Sequence, residues 1–432
     1  MPTNVTLDRH TMPALAKAGK IDITHAATHK LPNGVPVYYV NAGTQDVVRI
    51  ELIFRAGAYQ QEMALQADTT NAMLEEGTKK HSAEEIASLL DYYGSFLETS
   101  SQQDYSTVTI YSLGKHVAKV LPVLEELIKE PAFPQTEFDV YIKNKKQRFM
   151  VDGGKVRVIA ARNFPAMFFG DAHPYGHVTR IDEFDTLTTK HLQTFHQKHY
   201  SPTDCAIIIA GQINDNLLKL VGDYFGSASW KAAPANGTDR AIEAKPSAEK
   251  IHFIEKKGAV QSAIKLGRPM FLKSHPDSIP FQIVNVVLGG YFGSRLMSNI
   301  REDKGYTYGI GSGVTFLKNA GYFQISSEVG GDVCSKALVE VYKEMDRLCT
   351  TPVPQEELQL VKNYLLGNFM RSMDGPFALA ERFKHIWLHG LDYTYYEKYL
   401  QTLNDITATQ LKDIAAKYLL KQDIYELVVG TK

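Results

Sequence analysis

The chain has 432 residues, 44% of them hydrophobic and 22% charged, with 47 Lys and Arg set against 48 Asp and Glu. That length exceeds one ordinary core and calls for roughly two to four domains of soluble, globular composition. A formal net charge of −1 offers no electrostatic footprint for nucleic acid or an anionic membrane. No apolar run approaches the ~18–20 residues of a membrane span. The N-terminal stretch lacks an apolar h-region, so no secretory leader is read; the compartment expected is cytoplasmic, or periplasmic if a leader has been trimmed. Cys205, Cys334 and Cys349 are odd in number and lack metal-like spacing. They read as buried small hydrophobes rather than a disulfide framework.

Residues 1–30 read as a polar N-terminal arm, and structure is expected to begin at the turn Leu31-Pro-Asn-Gly34. Segments 35–40 and 47–54 are strand-like. In the second, Ile50, Leu52 and Phe54 alternate with Arg49 and Glu51, the period of a half-buried strand. A helix is predicted over 63–76, closed by Gly77-Thr78. Ser82 then caps another, with Glu85 at the capping-box position and Gly94 at its end. A strand over 96–111 and an amphipathic helix over 116–128 follow. His191, His196 and His199 fall on a Lys-rich helix. Only His196 and His199 share a face, which is expected to be an exposed polar one. His173 flanks a Pro-Tyr-Gly turn and reads as a turn or packing residue.

Pro131-Ala-Phe-Pro134-Gln-Thr-Glu137 precedes a predicted helix, and Pro352-Val-Pro354-Gln-Glu-Glu357 precedes another much later. Each follows a helix of similar length, which implies an internal duplication with a period of roughly 200 residues, too long for a solenoid. The seam is 229–250, rich in Ala with Pro and Gly, a linker composition. The expected domains are 31–228, the linker 229–250, and 251–432.

The most informative stretch is 288–312, LGGYFGSRLMSNIREDKGYTYGIGS. Its glycines suggest positive φ or a close backbone approach. Ser294 is placed to cap a helix over 295–303, Gly305 to end it, and the run from Tyr306 to begin a strand. Arg301 and Tyr308 bracket that turn. By type and spacing they are compatible with an exposed helix arginine and a half-buried strand tyrosine. Spacing alone favours that reading, while the same residues also suit two donors converging on a carbonyl or a developing oxyanion.

R-x6-Y after a GG-x-x-SRL helix resembles the C-terminal signature of the pitrilysin/insulinase zinc metallopeptidases. The resemblance extends over nearly all the chain after Leu31, including Gly77-Thr78, His173-Pro-Tyr-Gly176 and Tyr200-Ser-Pro202. It implies an α+β fold of two homologous halves, each of two α+β repeats, in a clam shell around a peptide-binding chamber. It also implies that Arg301 and Tyr308 bind substrate and polarise the scissile carbonyl, and that 97–105 resembles the edge strand on which peptides align.

In that family an H-x-x-E-H helix and a later Glu hold zinc. Registered on Gly77-Thr78, this chain has Asp68 and Ala72 at the two His positions and Asn71 at the Glu. Ala72 has no donor atom, and Asn71 cannot take a proton from water. No acidic residue lies between Asp139 and Asp152, where the third ligand belongs. Asp68 and Glu75 share a face that could hold only a weak cation. The resemblance therefore implies a chain with no cofactor of its own. Its zinc would sit in a homologous H-x-x-E-H partner, in a heterodimer or larger complex, acting on an extended peptide. The alternative is a non-catalytic peptide-binding or scaffold module of the same fold. An enzyme of another class is disfavoured, because G-x-S-x-G and phosphate-loop motifs are absent from the sequence.

Overall fold

The computed structural model describes residues 21, 23–230 and 242–431. The first 20 residues of the expected arm and 231–241 of the expected linker lie outside them. The first half begins with strands β1 (Ala27–Lys30), β2 (Pro36–Asn41) and β3 (Val47–Phe54), then helices α1 (Gln66–Ala72) and α2 (Ala83–Tyr92). Next come β4 (Phe96–Ser101), β5 (Ser106–Leu113), α3 (Val117–Lys129), α4 (Gln135–Asp152), α5 (Val156–Phe169), α6 (Thr189–His199), β6 (Cys205–Gly211) and α7 (Asp215–Phe225). The second half has β7 (Ile251–Glu255), β8 (Gln261–Met270) and α8 (Ser278–Asn285). It continues with β9 (Thr307–Phe316), β10 (Gly321–Gly330), α9 (Cys334–Thr350), α10 (Gln355–Arg371), α11 (Gly375–Trp387), α12 (Thr394–Asp405), α13 (Ala408–Tyr418) and β11 (Tyr425–Gly430).

The sheets run β1-β2-β6-β3-β5-β4 and β7-β11-β8-β10-β9. Setting β1 aside, the two orders correspond strand for strand. In each, one pair is parallel (β2 with β6, β7 with β11) and the others are antiparallel. The molecule is thus two similar α+β halves. The outermost strand is β4 in the first sheet and β9 in the second, so each half ends its sheet on the strand next to its candidate residues. An edge strand keeps unpaired backbone groups that can accept another strand.

Helix α5, although from the first half, lies on the second sheet: Ala160, Phe164 and Phe168 pack in one cluster with Ala263, Leu427 and Val429. Helix α11, from the second half, lies on the first sheet, where Leu379, Ala380 and Phe383 meet Val40, Ile53, Ile208 and Ala210. Burying each of these phenylalanines contributes about 1.5–3 kcal/mol, and the exchange means that one face of each sheet is covered only by a helix of the other half. This explains why β6, CAIIIAG, is apolar throughout: it is covered on both faces. Polar links follow the same seam. Lys384 Nζ lies 2.8 Å from Glu51 Oε1, and Arg49 pairs with both Glu51 and Glu381. The Asp104 carboxylate accepts from the Tyr175 hydroxyl and, at 2.9 Å, from the Lys318 backbone N–H.

Several expectations change. Chain order begins before Leu31, because β1 pairs with β2. The strand read over 96–111 is a hairpin, β4 and β5, and the helix read over 63–76 is α-helical only in α1, with a 3₁₀ turn over Met73–Glu76. His196 and His199 are not on an exposed face: both are buried. His196 Nε2 donates to the Ile128 carbonyl at 2.8 Å, and the ring stacks on Tyr200.

Candidate functional site

Two helical segments with π-type turns, Val286–Gly290 and Met297–Asp303, carry the 288–312 stretch into β9. Such turns are rare and recur at functional sites. Gly289 serves close approach rather than positive φ. A Cβ there would stand 2.7 Å from Ser312 Oγ and 2.8 Å from its backbone N, so only glycine lets the helix end meet β9. Gly305, by contrast, has φ +66° and releases the chain into the strand. Ser294 does not cap by its side chain, as its Oγ is buried without a hydrogen bond.

The inward face of the second segment is anchored. Arg295 makes a two-pronged pair with Glu357 of α10, Nε and Nη2 each 2.8 Å from a carboxylate oxygen. Asn299 Nδ2 donates to Glu340 and Glu344 of α9 at 3.0 and 2.8 Å. Arg301 points the other way. Its guanidinium lies 4.7 Å over the Phe292 ring and 5.8 Å from the Tyr308 ring. Tyr308 is 93% exposed and Phe292 64%. A bulge sets Tyr308 outward: the β9–β10 register shifts between Ser327 and Val329, so Tyr308 and Gly309 together oppose Glu328. Thr307 Oγ1 pins the bulge by donating to the Glu328 carbonyl at 2.6 Å. The structure thus brings Arg301 and Tyr308 together. Phe292 and the bulge were missed in the sequence, although the apolar ring at the tip of a glycine-flanked loop was a visible signal.

In the first half, the three positions registered on the zinc motif hold other chemistry. Asp68 forms an ion pair with Lys145 of α4, the helix expected to bear the third ligand. The same ammonium lies 3.3 Å from Thr69 Oγ1 and 3.2 Å from the Tyr141 hydroxyl. Asn71 is buried. Its Nδ2 donates to the Thr107 carbonyl at 3.2 Å, and its Oδ1 accepts from the Tyr200 hydroxyl at 2.8 Å. Ala72 is half-buried and offers no donor. Glu75 turns to β4, where it accepts from Thr99 Oγ1 at 2.6 Å, and burial pushes its carboxyl above the ordinary value. These residues do not fit a zinc ion, since a cation already faces Asp68 and the neighbouring amide is fully used. Among the described residues no group of three or more His, Cys, Asp or Glu side chains is placed to hold a metal.

Between the halves, a cleft of about 630 Å³ is lined by the β4–β5 turn (Gln102, Tyr105), the end of β9 and the residues after it (Phe316, Lys318), and α11 with the turn that follows it (His385, His389). A neighbouring one of about 640 Å³ is lined by Glu51, Glu98, Tyr111, Glu381 and Lys384. Both edge strands therefore border space large enough for an extended chain.

Residues 37–155 match the family model described as insulinase, peptidase family M16, and 186–365 match the one described as the peptidase M16 inactive domain. The chain is 23% identical over 357 residues to a Bacillus subtilis protein named uncharacterized zinc protease YmxG, covering 81% of this chain and 85% of that one. A crystal structure of a peptidase M16 inactive domain from Pseudomonas fluorescens superposes with a TM-score of 0.84 at 24% identity, covering 94% of this chain and 98% of that one. A protease from Helicobacter pylori gives 0.86 at 17% identity, covering 95% and 100%. Among the described residues, no helix is long and apolar enough to cross a membrane.

Proposed function

The chain belongs to the M16, or insulinase, family of peptidases, and from that premise we propose that it is the zinc-less subunit of a two-chain peptidase. Its role would be to bind an extended peptide and polarise the bond that a homologous, zinc-bearing subunit cuts. The observation that carries this reading is a contrast between the two halves. Asp68, registered on the first His of the zinc motif, is paired with Lys145, while Arg301 and Tyr308 stand together and exposed. An exposed donor pair stabilises little by itself; it gains strength once a second surface excludes water from it.

In the complex, Arg301 would anchor the peptide backbone with its guanidinium N–H groups. The Tyr308 hydroxyl would donate to the scissile carbonyl oxygen as negative charge grows there. The partner would supply the zinc and the base. The edge strand β4 would align the peptide by adding it to the sheet. The test is reconstitution with the H-x-x-E-H homologue: peptide cleavage should need both chains. Cleavage by the homologue alone, at the rate of the mixture, would favour the scaffold reading.

A further inference from the structure

We propose that Lys273, His385 and His389 form a carboxylate-binding site in the cleft wall, which holds an acidic group of the peptide lying between the halves. This rests on the reading of the cleft as a peptide channel. Lys273, in the connection after β8, is 2% exposed, and among the described residues no carboxylate pairs with it. Its Nζ lies 2.6 Å from His385 Nε2 and 3.0 Å from Nδ1. The rings of Phe316 and Tyr395 stand 5.4 and 5.2 Å away. His385 on α11 and His389 in the turn that follows it have ring centroids 6.1 Å apart, and both line the cleft.

A buried ammonium without a counter-ion is costly, and proteins meet that cost by pairing or by losing the proton. Here burial, with the Arg382 guanidinium nearby, brings Lys273 down to about 7. His385 and His389 are held at about 3 and about 4, by burial first and then by Lys273. The charged groups that face this cluster are thus Arg382 from its own helix and Lys273 behind it. The acids lining this cleft are engaged elsewhere, Asp104 with Tyr175 and the Lys318 N–H, and Asp68 with Lys145; in the neighbouring cleft that His385 also borders, Glu51 and Glu381 pair with Arg49 and Lys384, and Glu98 stands on β4. Three nitrogen groups without an acid make an anion site. A carboxylate entering from the cleft would accept from the His389 N–H and from the His385 N–H once Lys273 donates to the other His385 nitrogen, and would favour the charged form of that lysine.

The position also sets a length. Phe316, beside His389 at 6.4 Å, lies eight residues along β9 from Tyr308, about 26 Å of extended chain. For a peptide that follows β9 from Tyr308, the acidic group would sit about eight residues from the one beside Tyr308. It is either the peptide's own C-terminal carboxylate or an Asp or Glu side chain.

Binding of a labelled, unstructured peptide with a single Glu near a free C-terminus, measured by fluorescence anisotropy on the full chain, tests this. The same peptide is amidated in a second arm, carries Gln for Glu in a third, and has both changes in a fourth. Loss of about tenfold in affinity on removing a carboxylate is expected. Loss in the second arm assigns the C-terminus, and loss in the third the side chain. The preference should vanish in Lys273→Met and in the double variant His385→Gln/His389→Gln. If Lys273→Met fails to fold, the double variant, whose side chains line the cleft, decides. Equal binding of all four peptides, or a preference that survives the double variant, overturns the proposal and leaves the peptide-channel reading standing. Failure of every version to bind removes that reading and the proposal with it.

Discussion

Arg301 is held by rings rather than by a carboxylate: among the described residues it makes no ion pair, and Phe292 is its nearer aromatic contact. An exposed cation–π contact contributes about 0.5–1 kcal/mol. Phe292→Ala in a reconstituted complex should therefore raise KM about two- to fivefold, with kcat less affected and Phe292→Tyr restoring the value. An unchanged KM would show that the ring does not position the guanidinium. In the first half, the contact of Lys145 with Asp68 fixes which position of α4 faces the residues registered on the zinc motif. The triple variant Asp68→His/Asn71→Glu/Ala72→His is expected to bind zinc weakly and to cleave nothing. It should also lose about 1–3 kcal/mol of stability, as Glu at 71 cannot donate to the Thr107 carbonyl. Adding Lys145→Glu should raise zinc affinity more than Glu at 144, 146, 147 or 148, read by competition with a chelator. Tight zinc binding by the triple variant alone would mean that a ligand other than α4 completes the set.

At the scale of single elements, the readable features were those with local chemistry. Ser82 and Glu85 form the reciprocal cap; Val47–Phe54 has the bounds its alternation suggests but is not half-buried, since Arg49 and Glu51 are buried against α11; and Pro134 and Pro354 immediately precede α4 and α10. What the sequence hid depends on tertiary neighbours. The turn between β4 and β5 is SQQDY without an Asn-Gly or Asp-Gly pair, so the hairpin read as one strand. The bulge at Tyr308 exists only against β10. The polarity of α6 suggested solvent, yet His196 and His199 face the core beneath it. His196 is brought down from 6.5 to about 4 by burial, which carries a sign. Its folded form resists protonation, so the unfolded chain binds more protons between those values. Its contribution is fully present above about pH 6.5 and is lost as pH falls toward 4, a change on the order of 3 kcal/mol. His196→Gln should flatten that part of the stability–pH curve measured by urea unfolding. A variant curve parallel to the wild type would assign the acid sensitivity elsewhere.

At the scale of the molecule, the duplication was legible because both halves kept a proline-flanked Pro-Gln-x-Glu entry to their long helices, Pro134-Gln-Thr-Glu137 and Pro354-Gln-Glu-Glu357. The exchange of α5 and α11 was not, since an apolar helix face does not state which sheet it covers. That exchange predicates one cooperative unit. The full chain should unfold in a single calorimetric transition, and 31–228 or 251–432 produced alone should be unstable, each with a naked sheet face and a stranded helix. Two resolved transitions would contradict the interlock. The same rigidity presents Tyr308 outward on an edge strand. The most direct measurement is therefore peptide turnover by this chain, by its zinc-bearing homologue, and by the two mixed, with wild type and Tyr308→Phe side by side. Turnover is expected in the wild-type mixture alone, falling roughly 10²–10³-fold in the Tyr308→Phe mixture, the usual loss of one oxyanion donor. Chelator-sensitive cleavage by this chain alone, or an unchanged rate with Tyr308→Phe, would contradict it.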